Sequence, residues 1–311
     1  MKRISKQGID LYMILISAGI FLFLLLSGTF FDLDFSKLVY TPRNFLSYFV
    51  EYLGTLSSAV IFSLSGVLLF LYFKNSKRYK YGYIYKYMCL ALILLAGAFW
   101  GYDTFDHYLS KSIYAVGIGV LVITPFSYLF YLDLKRKYEI NFARIAVIII
   151  IAFACSTLLT FGIKTLICRP RYYYLVSQDM SYYRNWYEIS FVKSGYPGVA
   201  MKTYLESFPS GHSSFSALNY LLLLFPFVKK DNRNKRIVYI SVTIYCLLVM
   251  FGRILDGHHY LSDVAFGYFI GTASVFLSTI FIKHNVNDVK DSEKKRKEKI
   301  LQRKLKEEQN N

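Results

Sequence analysis

Long apolar stretches alternate with short polar ones along the whole chain. Eight apolar runs can be marked, at residues 11–30, 45–73, 88–100, 113–132, 143–168, 215–228, 237–255 and 261–282. A helix that crosses a bilayer needs about 20 mainly apolar residues, and several of the runs come close to that length. We therefore expect an all-α polytopic membrane bundle of about eight transmembrane helices.

The composition also indicates a membrane protein. Of 311 residues, 55% are hydrophobic and 19% are aromatic. The first run follows three basic residues, but it is long and lacks a small-residue cleavage site, so a retained anchor is favoured over a signal peptide. The cysteines lie in or at the ends of apolar runs without paired spacing, which predicts neither a disulfide framework nor a zinc site: Cys89, Cys155, Cys168 and Cys246.

The net charge of +17 is concentrated in a few polar segments. Basic residues gather at 74–86, 135–144 and 229–236 and in the C-terminal tail. A cytoplasmic N-terminus places all of them on the inner side, as the positive-inside rule requires. The extracytoplasmic side then receives the segments 103–111, 164–212 and 253–263. Anionic lipid is the expected partner of the basic loops, and no nucleic acid is expected, because no nucleic-acid, dinucleotide or P-loop motif is present.

The polar hinge between the last two runs, residues 252–263, contains Arg, His and Asp side chains. His259 and Asp263 are four residues apart, so on one helical turn the carboxylate can reach an imidazole nitrogen and fix which nitrogen is free to react. Arg253 would face another way on an unbroken helix. We therefore predict that Gly257 breaks the helix and lets the three side chains converge. Taken alone, the hinge is also compatible with a polar loop that happens to hold charge.

Two further segments carry candidate chemistry. A Pro-Ser-Gly-His turn at residues 209–212 stands directly before an apolar run. A turn that opens a helix presents free backbone N–H groups and the positive end of the helix dipole to an anion, which would place His212 at the mouth of an oxyanion site. Lys164 and Arg171 close an earlier run.

These three segments together resemble the type 2 phosphatidic acid phosphatase superfamily, which also includes the vanadium haloperoxidases. The family pattern is Lys-x6-Arg-Pro, then Pro-Ser-Gly-His, then Ser-Arg-x5-His-x3-Asp, and the three occur here in that order between Lys164 and Asp263. Two positions depart from the pattern, since Tyr172 stands where Pro is usual and Gly252 where Ser is common.

Spacing separates two of the motif residues from similar neighbours. Arg169 is a rival to Arg171, but the family spacing favours Arg171, so Arg169 is expected to be an interfacial or auxiliary phosphate contact. His258 adjoins His259 but is five residues from Asp263 and off the family spacing, so it is expected to be dispensable.

The resemblance implies a role for each motif residue. His259 would attack phosphorus to form a phosphohistidine, Asp263 would orient it, and His212 would protonate the leaving alkoxide before activating water. The phosphate would be bound by three cations, one hydroxyl group and one backbone N–H, those of Lys164, Arg171, Arg253, Ser210 and Gly211. No metal ion or other cofactor is expected, because the carboxylates are too few and too dispersed for a hard-cation site.

The resulting expectation is an integral-membrane lipid phosphate phosphatase of the cell membrane, with both termini cytoplasmic and the site extracytoplasmic. Residues 1–80 would form two additional helices, residues 81–283 a six-helix catalytic core, and residues 284–311 a basic cytoplasmic tail. The long connection 172–207 is expected to lie over the site.

The sequence leaves the substrate open. Undecaprenyl diphosphate, phosphatidic acid, phosphatidylglycerol phosphate and a lipid A phosphate all fit an outward site at the membrane surface. An alternative class is a polytopic transporter or lipid-binding membrane protein that holds an anionic headgroup without hydrolysis. A haloperoxidase is disfavoured, because relatives of that kind are typically soluble.

Overall fold

The chain folds into helices throughout the part that the structure describes. The computed structural model describes residues 10–75, 82–105, 112–135, 142–188, 202–225 and 232–280. Within these ranges there are α-helices, short 3₁₀ turns and one isolated bridge between Arg169 and Glu206, but no strand. The expected all-α class is confirmed.

The helices are numbered here in chain order. The first five are α1 Leu11–Val39, α2 Phe45–Leu53, α3 Leu56–Asn75, α4 Gly82–Phe105 and α5 Ser112–Leu134. The remaining five are α6 Phe142–Leu166, α7 Tyr172–Ser177, α8 Gly211–Ala217, α9 Asn232–Leu255 and α10 Leu261–Ile280.

Seven helical segments among the described residues are long and apolar enough to cross a membrane. They are α1, the joined pair α2–α3, α4, α5, α6, α9 and α10. Large apolar side chains on their outer faces are exposed, among them Leu121 and Leu158 at 74% and 73%. A water-soluble protein rarely leaves so much apolar surface uncovered, whereas a lipid-facing helix does. The expected polytopic membrane bundle is therefore confirmed.

The apolar run at 215–228 is organised differently from the others. It begins inside the short helix α8, continues as a 3₁₀ helix over Leu218–Leu224, and passes beyond the described residues after Phe225. With a rise of about 1.5 Å per α-helical residue and about 2.0 Å per 3₁₀ residue, residues 211–224 extend roughly 25 Å. Phe215, Leu218 and Leu221 lie in the main buried cluster. This segment is therefore enclosed by the other helices rather than facing lipid.

Alternating helix directions bring the predicted motifs to one end of the bundle. Lys164 lies in the last turn of α6, α8 starts at the Pro-Ser-Gly-His turn, and the hinge joins the end of α9 to the start of α10. The first two helices reach the same end, because Asp32 of α1 accepts the Ser262 N–H at 2.8 Å and the Glu51 carbonyl oxygen of α2 lies 3.4 Å from His212 Nε2.

Most of the basic segments predicted for the opposite side fall outside the described residues. They include residues 76–81, 136–141 and 226–231 and the tail from 281 onwards, as do the first nine residues and His107.

Candidate active site

The hinge is made by a glycine in the left-handed region. Helix α9 ends at Leu255, and Gly257 follows with a φ of +73°. L-amino acids with a side chain rarely adopt that value, and an added Cβ would also lie 2.7 Å from the Tyr40 ring. The turn reverses the chain between Arg253 in the last turn of α9 and His259 before α10. The predicted helix break at Gly257 is confirmed.

His259 is held by a backbone carbonyl group rather than directly by Asp263. Its side chain is 2% exposed, and its Nδ1 lies 2.6 Å from the Ser207 carbonyl oxygen. Asp263 Oδ2 lies 3.8 Å from the same nitrogen. The expected single helical turn does not form, because α10 begins only at Leu261, after His259. A carbonyl oxygen only accepts, so Nδ1 carries the proton and Nε2 is left with its lone pair.

The environment keeps the His259 imidazole neutral. Burial lowers the pKa of His259 to about 3, the Asp263 carboxylate opposes that shift, and the positive charge of Lys164 adds to it. At neutral pH the ring is therefore an uncharged base with one free nitrogen, which is the form that a nucleophile needs.

Asp263 is shared by several donors around the start of α10. Its carboxylate accepts the Tyr260 N–H at 2.9 Å, the Ser207 hydroxyl at 2.5 Å and Arg169 Nη1 at 2.5 Å. The bond to Tyr260 is the one that an acidic residue in the first turn makes when it caps its own helix. Asp263 thus fixes Ser207, whose carbonyl group in turn fixes His259.

Arg169 belongs to this supporting network. It is 1% exposed, its Nη2 lies 2.9 Å from Asp32 Oδ2, and its Nε donates to the Arg184 carbonyl oxygen at 2.9 Å. Its guanidinium also stacks over the Tyr260 ring at 4.1 Å. The expected interfacial position is wrong, because the guanidinium is enclosed between two carboxylates instead.

Three other cations meet where a phosphate would bind. Lys164 and Arg253 are 9% and 4% exposed, and Lys164 interacts electrostatically with Arg171 and Arg253. Arg253 Nη1 lies 3.1 Å from Asp256 Oδ2. Among the described residues, the buried Nε atoms of Arg171 and Arg253 have no hydrogen-bond partner. Buried donors on like-charged groups are costly unless an anion receives them, so this cluster is suited to bind one.

The Pro-Ser-Gly-His turn supplies further donors. Ser210 caps α8, and its hydroxyl accepts from Ser213, while its own N–H donates to the Asp263 carbonyl oxygen at 3.0 Å. The first N–H groups of a helix, here those of Gly211 and His212, have no intrahelical acceptor. His212 interacts electrostatically with Arg253, His259 and Lys164. The structure therefore brings together all eight residues predicted from the motifs, with Asp263 as support rather than as a direct partner of His259.

His258 makes its contacts with Asp256 and Tyr173 at the edge of this cluster. Its Nδ1 lies 2.8 Å from Asp256 Oδ1, and its ring packs on Tyr173 with centroids 4.8 Å apart. Burial, aided by the positive charge of Arg253, lowers the pKa of His258 to about 4. Asp256 thus pairs with both Arg253 and His258, a contact that the sequence analysis missed.

The described part of the long connection packs against the hinge. The Tyr173 N–H donates to the Gly257 carbonyl oxygen at 3.1 Å, and Tyr174 stacks on Tyr204 with centroids 5.0 Å apart. Residues 189–201 of the connection lie outside the described residues.

An apolar cavity of about 420 Å³ lies between α3, α4 and α6. Its walls include Phe99 of α4 and Ile150, Ala154 and Thr157 of α6. The α6 positions are three or four residues apart, and Lys164 follows Thr157 by seven, so all four share one helix face. At 1.5 Å per residue, Lys164 is about 10 Å beyond Thr157 along the helix. The cavity therefore lies on the same face of α6 as Lys164, about 10 Å from it along the helix axis.

No group of three or more His, Cys, Asp or Glu side chains within the described ranges is arranged to hold a metal ion. The residues that the sequence analysis missed are Asp32, Ser207 and Asp256. Asp32 meets the motif residues only in space and Ser207 acts on His259 through its carbonyl group, so neither had a sequence signal of its own. Asp256 follows Arg253 by three residues, and that spacing could have indicated the pair.

Comparisons with known proteins agree with the motifs. The model of the PAP2 superfamily matches residues 144–287. Over 74 residues the chain is 35% identical to phosphatidylglycerophosphatase B of Bacillus subtilis (strain 168), which covers 23% of this chain and 36% of that protein. The chain thus spans about a third of the length of that relative. No solved structure matches the chain.

Proposed function

We propose, since the model of the PAP2 superfamily matches residues 144–287, that the chain is a membrane phosphatase that hydrolyses a lipid-linked phosphate or diphosphate. The observation that carries the proposal is a buried imidazole whose Nδ1 is held by the Ser207 carbonyl group, with Nε2 left free, beside a cluster of three cations. An anion-binding membrane protein without catalysis needs the cations but has no use for such a nucleophile.

The cations and backbone N–H groups of the site bind the substrate phosphate before the chemical steps. Lys164, Arg171 and Arg253 neutralise the phosphate oxygens, and the N–H groups at the start of α8 donate to them. Because phosphoryl transfer depends mainly on positioning and charge neutralisation, these groups do much of what is needed to stabilise the transition state.

The first chemical step transfers the phosphoryl group to the protein. His259 Nε2 attacks phosphorus, an N–P bond forms, and the P–O bond to the leaving group breaks. His212 gives its proton to the departing oxygen. In the second step His212 takes a proton from water, the resulting hydroxide attacks phosphorus, and the N–P bond breaks to release phosphate and neutral His259.

The two histidines need opposite protonation states, and charge accounts for the difference. Burial and the positive charge of Arg253 hold the pKa of His212 well below its usual value in the free protein. A phosphate bound beside His212 adds negative charge, which raises that pKa and favours the protonated acid. His259 keeps its proton on Nδ1 through the Ser207 carbonyl group and stays neutral.

The lipid part of the substrate has a matching surface. A phosphate at Lys164 places its attached chain along the face of α6 that continues through Thr157, Ala154 and Ile150 in the apolar cavity. Pockets for small ligands commonly have volumes of about 300–1,000 Å³ and mainly apolar linings, so the cavity is adequate for an alkyl or isoprenyl chain.

The active site is proposed to face the extracytoplasmic side. Support comes from the charge pattern, because the basic segments of the sequence adjoin the opposite helix ends. A membrane-impermeant thiol reagent should label a Ser181→Cys variant in intact cells above the level of the unsubstituted protein. Labelling only after lysis would reverse the orientation.

The deciding experiment measures phosphate release by the full chain in detergent. The panel contains phosphatidylglycerol phosphate, phosphatidic acid, undecaprenyl diphosphate and a short soluble phosphate ester, with His259→Ala as the blank. Release is expected from at least one lipid and should persist in EDTA, since the proposed mechanism uses no metal ion. An Ala154→Trp variant should lose activity on the lipid more than on the soluble ester. Anion binding without phosphate release would indicate a transporter or a lipid-binding protein instead.

A further inference from the structure

Asp32 lies outside the segment that the family model matches, yet it reaches the site from the first helix. It is 2% exposed. Its Oδ1 accepts the Ser262 N–H at 2.8 Å, and its Oδ2 accepts the Ser262 hydroxyl and lies 2.9 Å from Arg169 Nη2. We propose that Asp32 is a positioning residue for the hydrolysis, acting through Arg169 on the groups that orient His259. The inference rests on the phosphatase function proposed above.

A continuous series of contacts joins Asp32 to the nucleophile. Arg169 Nη1 lies 2.5 Å from Asp263 Oδ1, and the other oxygen of Asp263 accepts the Ser207 hydroxyl at 2.5 Å. The Ser207 carbonyl oxygen then lies 2.6 Å from His259 Nδ1. The partners of Asp32 are thus residues that hold His259, and none of its hydrogen bonds goes to Lys164, Arg171 or Arg253 among the described residues.

The charge of Asp32 acts on the same imidazole through the guanidinium that Asp32 shares with Asp263. Two carboxylates, Asp32 and Asp263, share the single guanidinium of Arg169, so this buried group of three carries a formal charge of −1 (−1 −1 +1). When Nε2 of His259 bonds to phosphorus while Nδ1 keeps its proton, the ring becomes positive. Preorganised negative charge on the Nδ1 side stabilises that state. With Asp32 neutral, Arg169 would be compensated by Asp263 alone.

The packing of α1 against α10 is specific at this point. A Cβ added to Gly28, one turn before Asp32, would lie 2.6 Å from the Ser262 nitrogen and 2.9 Å from Asp32 Oδ1. Only a glycine allows the first helix to approach the start of α10 closely enough for Asp32 to cap it. The contact is therefore part of how α1 docks.

The test compares Asp32→Asn with Asp34→Asn in the purified full chain. Asparagine preserves the size of Asp32 and removes its charge. Asp34 is a matched control because it lies on the same helix with its side chain 78% exposed. Asp32→Asn should lower kcat about tenfold to a hundredfold, the range expected for a charge-assisted hydrogen bond. KM of Asp32→Asn should stay within about threefold of the wild-type value, because Asp32 does not touch the substrate. Asp34→Asn should have the kcat and KM of the wild type.

A double-mutant cycle with Arg169→Gln separates positioning from simple stability. If Asp32 acts through Arg169, the Asp32→Asn change should have little further effect on kcat in the Arg169→Gln background. The inference would be overturned if Asp32→Asn lowered kcat by the same factor with and without Arg169, or if Asp32→Asn raised KM as well as lowering kcat. So would an unchanged kcat in folded Asp32→Asn.

Ser262→Ala keeps the inference testable if the charge variants do not fold. It removes a hydroxyl that contacts both Asp32 and Arg169 without removing a charge. It should lower kcat about threefold to tenfold, and wild-type kcat would overturn the inference. A wild-type protein that releases no phosphate from any lipid would instead refute the proposed function itself.

Discussion

Arg169 and Arg171 are separated by one proline and carry the same charge, yet their surroundings are opposite. Arg169 is enclosed between the carboxylates of Asp32 and Asp263, and its remaining donors are also bonded. The Nε of Arg171 is buried without a partner in the described ranges, and the nearby Arg253 has the same charge. A saturated cation stabilises a structure, whereas an unsaturated one is available to a ligand.

Two groups of residues around these arginines show the same contrast. We call Asp32, Arg169, Ser207 and Asp263 the closed cluster, because its one cation is paired with both of its carboxylates and each member hydrogen-bonds to another. We call Lys164, Arg171, Arg253, His212 and His259 the open cluster, because its cations lack enough buried carboxylates. The closed cluster positions His259, the proposed nucleophile, and the open cluster would bind the phosphate that His259 is proposed to attack.

The largest effect is expected from removing the nucleophile of the open cluster. His259→Ala should lower phosphate release by at least about a thousandfold and abolish any phosphoenzyme, because no other group supplies the attacking nitrogen. His258→Ala is the matched control and should retain substantial activity, since its ring faces Asp256 and Tyr173. Rates of phosphate release from the two folded proteins decide the matter. Equal losses would mean that the wrong histidine has been identified.

Replacing Arg171 should affect catalysis, whereas replacing Arg169 should affect stability. Arg171→Gln should lower kcat/KM about tenfold to a hundredfold with little change in thermal stability, because it removes a charge-assisted contact to the substrate. Arg169→Gln should lower the free energy of unfolding by about 3–5 kcal/mol, because it leaves Asp32 and Asp263 buried without their cation. Kinetics and thermal unfolding of both variants measure the contrast. An Arg169→Gln protein as stable as Arg171→Gln would remove the distinction between the clusters.

A smaller effect, on the stability of the fold, is expected when the pH is lowered. The pKa values of His259 and His258 are about 3 and 4 in the folded protein, below their usual value of 6.5. Below pH 6.5 the two histidines take up protons in the unfolded chain, whereas in the folded protein they stay neutral until about pH 4 and pH 3. The stability that comes from the neutral histidines is therefore complete above pH 6.5 and is lost as the pH falls towards 3. The melting temperature should therefore drop between pH 7 and pH 4. His258→Gln should show a weaker drop, and an identical pH dependence would contradict the assignment.

Some of this architecture follows from local sequence and some does not. Hydropathy is a local property, so the membrane helices could be predicted, and the break at Gly257 follows from one residue. Hydropathy does not distinguish an α-helix from the 3₁₀ helix at Leu218–Leu224. The pairing of Asp32 with Arg169 joins residues 137 positions apart, and Ser207 acts through its backbone, so neither left a pattern to detect.

The apolar cavity is bordered by Leu95 and Leu158, whose side chains are 58% and 73% exposed on the flank of the bundle. Under the proposed function, a lipid substrate would therefore enter sideways from the hydrocarbon without first being transferred into water. The rate at which the protein meets this substrate would then depend on the density of the lipid in the membrane plane. Saturation of the proposed site would accordingly depend on the mole per cent of that lipid in the bilayer rather than on its concentration in the surrounding buffer.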